Sequence, residues 1–152
     1  MQRTEHMIDG TFAYRFQGPD ADHALLVIHG MGGHGGIYDE FCAHHAGRGV
    51  DVWSVDLPGH GRSAMSSRQG KFTVEQWVDA CVTVAAHVHD LTGLPVIAKG
   101  SSLGVTPAYA VVGASPHVIG AVLMGYAVPG TAAALNSPWR TPAGQLNLPV
   151  VG

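Results

Sequence analysis

The sequence has 152 residues, of which 46% are hydrophobic and 12% are charged, and its net charge is −3. This length favours one domain with a buried core, and the scattered basic residues exclude the basic cluster of a nucleic-acid-binding protein. No apolar run approaches the ~18 residues that a membrane-spanning helix needs, which argues against stable membrane insertion. The polar start of the chain is not followed by an apolar stretch, as a secretory leader would be, so we expect a cytoplasmic protein.

Strand signals dominate the amino-terminal part of the chain. Apolar and polar residues alternate between positions 7 and 16 around an Asp9-Gly10 turn, which predicts an antiparallel hairpin at the edge of a sheet. The next predicted segments are a buried strand at 24–28, a glycine-rich loop at 29–36, a helix at 37–46 and a strand at 50–55. The strand at 24–28 is continuously apolar, which is typical of a parallel strand covered on both faces.

A long helix and two further strand–helix units are predicted after this point. Thr73 and Gln76 form a capping box at the start of the helix, apolar residues recur at helical spacing from 74 to 91, and Gly93 suits the helix end. The remaining predicted elements are a strand at 94–98, a helix at 105–112 and a strand at 118–124. Because strands alternate with helices, we predict an α/β protein whose sheet is mainly parallel with an antiparallel amino-terminal edge.

The most informative motif lies between the strand at 94–98 and the helix that follows it. Gly100-Ser101-Ser102-Leu103-Gly104 matches the pattern G-x-S-x-G, and the strand–turn–helix setting is that of a nucleophile elbow. Such a turn forces the central serine toward a positive φ, which is strained for a residue other than glycine. The motif therefore predicts that the Ser102 hydroxyl is presented clear of the sheet.

The groups that would activate this serine are missing from the sequence after the motif. Every acidic residue lies at or before Asp90, and His117 is the only histidine after Ser102. A serine hydrolase with this elbow takes its carboxylate and then its histidine from positions after the nucleophile. The sequence therefore holds half of an active site, and we do not expect His117 to be the base.

Three motifs together identify a resemblance. His29-Gly30-Met31-Gly32 follows a predicted strand, the segment DLPGHGRS occupies 56–63, and the elbow comes third. In this order, with Tyr38 after the first motif, the chain resembles the amino-terminal half of the α/β-hydrolases over residues 5–128. It is most similar to the monoacylglycerol lipases and lysophospholipase-like serine esterases. The resemblance implies an α/β-hydrolase fold that lacks its carboxyl-terminal strands and helices.

The resemblance also implies a mechanism. Ser102 would attack a carboxylic ester and form an acyl-enzyme, and the backbone N–H groups of Met31 and Leu103 would form the oxyanion hole. The histidine and the acid would come from sequence beyond residue 152. Hydrophobic acyl groups are the expected substrates, as in lipases and esterases.

Other residues of the motifs have weaker assignments. His29 and Gly30 are assigned to substrate binding, with loop shaping as the alternative for His29, and Tyr126 either lines the acyl pocket or packs in the core. Asp56 and His60 are interpreted as turn residues that hold the loop after their strand. The glycine-rich loop has neither the dinucleotide-binding nor the P-loop spacing, so we expect no cofactor, and we expect no metal.

The domain organisation leaves two interpretations open. Residues 1–128 form the amino-terminal part of the core, and residues 129–152 begin a cap or lid or form an irregular tail. The chain is then part of a serine esterase; the alternative is a catalytically incompetent fragment or a non-enzymatic scaffold. In either case the strand at 118–124 is an unpaired apolar edge, which we expect a complementing carboxyl-terminal segment or a second copy to cover. A small ester is the only other partner that we expect.

Overall fold

The computed structural model describes residues 3–63 and 70–125, in which six strands form one sheet with helices on both faces. The strands are β1 (Arg3–Ile8), β2 (Thr11–Phe16), β3 (Ala24–Ile28), β4 (Asp51–Asp56), β5 (Val96–Ser101) and β6 (Val118–Met124). Their order across the sheet is β1-β2-β4-β3-β5-β6. β1, β2 and β4 pair antiparallel, whereas β4, β3, β5 and β6 pair parallel. The predicted mainly parallel sheet with an antiparallel edge is therefore confirmed.

The helices differ from the predicted ones mainly at their ends. A 3₁₀ turn at Gly35–Tyr38 precedes α1 (Asp39–Ala46), so the predicted helix at 37–46 is two elements rather than one. α2 spans Val74–Thr92, and α3 spans Val105–Ala114. The predicted capping box is present at the start of α2, and Gly93 ends this helix with a φ of 73°.

Side chains alternate between the two faces of the sheet and form two apolar clusters. One cluster packs α2 and α3 against β3, β4 and β5, with Trp53 and Trp77 as its largest members. The other packs α1 against the opposite face, with Val27, Cys42 and Val52 at its centre. Because β3, β4, β5 and β6 run parallel, their carboxyl ends lie at one edge of the sheet, where all three sequence motifs follow a strand.

Apolar residues are exposed on the edge strand β6 and on α3. Tyr109 on α3 is 72% exposed and Ile119 on β6 is 64% exposed. Further exposed apolar side chains on these two elements are Val112, Val122, Leu123 and Met124. The predicted boundary at 128 and the tail at 129–152 lie outside the described residues. Among the helices that the structure describes, none has both the length and the apolar character that crossing a membrane demands.

Candidate active site

Ser102 lies in a tight turn between β5 and α3. A 3₁₀ turn at Ser102–Gly104 leads directly into the helix, and Ser102 has a φ of 54°. Its side chain is exposed. A non-glycine residue in this backbone region is strained, so neighbouring contacts must keep it there. The two glycines of the motif, Gly100 and Gly104, allow these contacts to be close.

Gly100 and Gly104 stand where any side chain would collide with neighbouring backbone. A Cβ on Gly100 would lie 2.7 Å from Cβ of Ala108 and would clash with the carbonyl of Gly104. A Cβ on Gly104 would lie 2.7 Å from the carbonyl oxygen of Ile28. The elbow therefore packs against its own helix on one side and against the end of β3 on the other.

The glycine-rich loop after β3 approaches Ser102 closely. A Cβ on Gly30 would lie 2.9 Å from Cβ of Ser102 and 3.5 Å from its hydroxyl oxygen. Gly33 N–H donates to the Gly30 carbonyl (3.2 Å), and Gly32 has a φ of 71°, so Met31 sits at the centre of a turn beside the serine. The structure thus brings Gly30 and the loop that carries Met31 to the nucleophile predicted from sequence.

His29 holds this loop and has no surface for a substrate. Its side chain is 0% exposed. Its Nε2 accepts from the Leu57 N–H (3.0 Å), so Nδ1 carries the proton and donates to the Gly30 carbonyl (2.6 Å). Burial lowers the pKa of His29 to about 4, which keeps the ring neutral. Both ring nitrogens are bonded to backbone inside the core, an arrangement that fits the loop-shaping alternative for His29.

Asp56 ties two loops to the end of β4. This buried carboxylate accepts from the Gly35 N–H through Oδ1 and from the Arg62 N–H through Oδ2, both at 2.6 Å. Charge-assisted hydrogen bonds of this kind are stronger than neutral ones. A Cβ on Gly61 would clash with the same carboxylate, so the DLPGHGRS segment wraps tightly around Asp56.

His60 joins the DLPGHGRS loop to the loop beside the serine. Its Nε2 accepts from the Gly32 N–H (3.2 Å), and its Nδ1 donates to the Pro58 carbonyl (3.2 Å). Trp77 of α2 packs against the His60 ring at 5.3 Å and donates from its indole N–H to Pro58 (3.0 Å). Asp56 and His60 therefore hold the loops, as the sequence indicated.

Two further residues near the elbow were not assigned a role from sequence. Ile37 is 59% exposed and reaches to 3.3 Å from a Cβ placed on Gly33, so it adds an apolar surface beside the glycine-rich loop. Lys99 is buried in β5, and its ammonium donates to the Ser101 hydroxyl. The aromatic rings beside its ammonium belong to Tyr38 and Phe41, which are distant in sequence, so the surroundings of Lys99 could not be inferred. The predicted pocket residue Tyr126 lies outside the described residues.

The described residues supply no base for Ser102. Within 3–63 and 70–125, no histidine or carboxylate is hydrogen-bonded to its hydroxyl. His117 stacks on His89 with ring centres 4.3 Å apart, and it precedes β6 at the end of the sheet opposite the elbow. In the same two ranges there is no group of three or more histidine, cysteine or acidic side chains that could hold a metal.

Comparison with known proteins decides the family. A family model described as serine aminopeptidase, S33, matches residues 19–147, which is most of the chain. The chain belongs to this family of α/β-hydrolases. It is also 32% identical over 104 residues to the monoglyceride lipase homolog of Monkeypox virus, a match that covers 66% of this chain and 36% of the viral protein.

Solved structures share the fold of this chain. A highly thermostable carboxyl esterase from Bacillus coagulans superimposes with a TM-score of 0.68 at 20% identity, over 80% of this chain and 43% of the esterase. A monoacylglycerol lipase from Paleococcus ferrophilus gives a TM-score of 0.63 at 23% identity, over 84% and 44% of the two chains. The resemblance to α/β-hydrolases predicted from the motifs is confirmed. The chain spans between 36% and 44% of the length of these three relatives.

Proposed function

We propose that the protein of which this chain forms the amino-terminal part is a serine hydrolase of carboxylic esters, with Ser102 as its nucleophile. One observation carries the proposal: an exposed serine is held at a positive φ between β5 and α3, against Gly30 of the preceding loop. Strained residues cluster at functional sites. Asp9 and Asp20 also have a positive φ, but they lie in turns, whereas the strain at Ser102 coincides with the G-x-S-x-G motif and with the close approach of Gly30.

In the proposed reaction the Ser102 oxygen attacks the ester carbonyl and loses its proton to a histidine. The carbonyl oxygen becomes negatively charged, and the N–H groups of Met31 and Leu103 stabilise it. One such donor is worth about 2.7–4 kcal/mol. Collapse of the intermediate expels the alcohol and leaves an acyl group on Ser102, which water then removes by the same steps.

The proposal places the histidine and the acid in sequence beyond residue 152. This follows from the chain order of the family's elbow, nucleophile then acid then histidine, and from the absence of any acidic residue after Asp90. The exposed apolar side chains of β6 are consistent with a complementing segment that pairs with this strand and brings the two groups to Ser102.

Hydrophobic acyl groups are the proposed substrates. Ile37 is an exposed apolar side chain beside the glycine-rich loop, and Met31 and Leu103 are apolar residues of that loop and of the elbow. The relatives named as a monoglyceride lipase homolog and a carboxyl esterase support an ester substrate. The proposal includes Tyr126 as a further wall of the acyl pocket.

The alternative is a protein that keeps the fold without the reaction. The lack of any base bonded to Ser102 among the described residues favours this alternative for the 152-residue chain taken alone. The two candidates differ in what the complete polypeptide does, so the test uses the complete polypeptide.

The test combines turnover with covalent labelling. The complete protein is expected to hydrolyse p-nitrophenyl esters and to be labelled by a fluorophosphonate at Ser102. Ser102→Ala should abolish both signals, whereas Thr83→Ala, which removes a hydroxyl from α2, should keep both. Labelling at another serine, or turnover that survives Ser102→Ala, contradicts the proposal.

A further inference from the structure

Lys99 is a buried cation directly before the elbow. Its side chain is on the α1 face of β5, and the residue is only 4% exposed. The ammonium lies 4.4 Å from the centre of the Tyr38 ring and 5.2 Å from that of Phe41, and it donates to the hydroxyl of Ser101. Ser101 is the residue directly before Ser102, the proposed nucleophile.

No described group neutralises this charge. None of the ion pairs among residues 3–63 and 70–125 includes Lys99. The register partners of Lys99 on β3 and β6 are Val27 and Val122, which carry no charge.

The titratable neighbours of the ammonium lie on α1 and on the turn before it. They are the Cys42 thiol, whose pKa burial raises to about 12, and the Tyr38 phenol, whose ring faces the ammonium. Burial lowers the pKa of Lys99, because a charge loses its hydration inside the protein. The two aromatic faces compensate part of this cost, since an ammonium is attracted to the negative face of an aromatic ring.

We propose that Lys99 is a positioning residue for the reaction at Ser102. Its ammonium fixes Ser101, and with it the backbone that enters the strained turn, and it places a positive charge behind the serine. This inference rests on the proposed function. It deepens that function because an uncompensated charge near the reacting atoms stabilises the oxyanion of the transition state more than the neutral ester.

If the charge of Lys99 serves the reaction rather than stability, its removal should slow the reaction without lowering the melting temperature. Lys99→Met retains the aliphatic stem and removes the charge. Replacing a buried charge by an apolar group of similar size is often neutral or stabilising. We therefore expect Lys99→Met to unfold at the same or a higher temperature than the parent protein and yet to react more slowly.

The experiment measures kcat and KM for a p-nitrophenyl ester with the complete protein, together with the melting temperature. Lys99→Met should lower kcat about tenfold or more, because the variant loses both the bond to Ser101 and the positive charge beside the elbow. KM should change little. Lys99→Arg, which restores a cation, should recover a large part of kcat. Lys71→Met, which removes an exposed lysine charge, should match the parent protein.

The pH profile gives a second, independent readout. In the parent protein kcat should fall at high pH as Lys99 loses its proton, and Lys99→Met should lack this limb. This measurement decides the matter even if Lys99→Arg is too bulky to fold. Unchanged kcat in Lys99→Met, or a high-pH limb that persists in it, overturns the role of Lys99.

The two proposals fail in different ways. If the complete parent protein neither hydrolyses esters nor labels at Ser102, the proposed function is wrong and the inference about Lys99 is wrong with it. If the parent hydrolyses esters through Ser102 and Lys99→Met does so equally well, only the inference about Lys99 is wrong.

Discussion

The loops around Ser102 and the sheet edge at β6 differ sharply. Buried hydrogen bonds hold the loops, whereas the sheet edge exposes apolar side chains. On the loop side, His29, Asp56 and His60 are buried and bond the backbone of two neighbouring loops, at 29–36 and 56–63. On the β6 side, apolar side chains such as Ile119 face outward. The described residues thus hold the proposed nucleophile and its loop in place, while the sheet edge from which the proposed base would approach exposes apolar side chains.

The largest expected effect is on turnover. Loss of the base costs such a triad on the order of 10⁶ in kcat, so residues 1–152 alone should hydrolyse p-nitrophenyl esters only at trace level relative to the complete protein. Ser102→Ala should reduce the complete protein to a similar level. Ordinary esterase rates from residues 1–152, abolished by Ser102→Ala, would show that the described half contains its own base.

Removing the charge at Asp56 should be the most damaging change on the loop side. Asp56→Asn replaces one acceptor by an NH₂ group that faces a backbone N–H donor. A buried polar group left unpaired, together with a lost charge-assisted bond, should lower the free energy of unfolding by about 2–4 kcal/mol. Urea denaturation measures this loss. The same substitution at the exposed Asp9 should leave stability nearly unchanged, and an equal loss at both positions would contradict the role of Asp56.

Acid should lower the free energy of unfolding, because the buried His29 stays neutral in the folded state. The folded state holds the pKa of His29 at about 4, below its ordinary value of 6.5, because of burial. The unfolded chain therefore binds a proton first, so stability is fully present above about pH 6.5 and is lost as pH falls toward 4. The loss from this group is about 3 kcal/mol.

A matched pair of variants isolates this effect. His29→Gln should be less stable at neutral pH and should show a flatter dependence of melting temperature on pH between 6.5 and 4. His44→Gln, at an exposed histidine, should keep the parent's dependence. A parent protein whose stability is constant over this range would rule out the buried neutral His29.

The smallest expected effect is that of removing the helix cap at Thr73, which should change stability but not kcat. Thr73 accepts from the Gln76 N–H at the start of α2 (3.2 Å). Thr73→Ala should lower the free energy of unfolding by about 1 kcal/mol with no change in kcat, since the cap does not touch the elbow. A fall in kcat at a temperature where the variant is fully folded would show that α2 and the site are coupled.

Local sequence signals predicted the parts of the fold that local contacts determine. The strand at 118–124 has the predicted bounds, and the capping box of α2 forms as the spacing of Thr73 and Gln76 indicates. The predicted helix at 37–46 was wrong at its start, because Gly35 packs against the end of β4 and donates to Asp56, which leaves a 3₁₀ turn before α1.

Only those parts of the site whose motif implies a particular backbone geometry could be predicted from the sequence. G-x-S-x-G implies the strained turn at Ser102, and the structure has it. The burial of His29 and the aromatic surroundings of Lys99 depend on residues that are distant in sequence, such as Leu57 and Tyr38. These contacts follow from strand order, which the motifs alone do not specify.

A structure of the complete protein with a phosphonate bound to Ser102 tests the central claim most directly. We expect the phosphonyl oxygen that mimics the oxyanion to lie about 2.7–3.1 Å from the backbone nitrogens of both Met31 and Leu103. An oxygen turned away from these two amides, or a phosphonate attached to a different serine, would contradict the account.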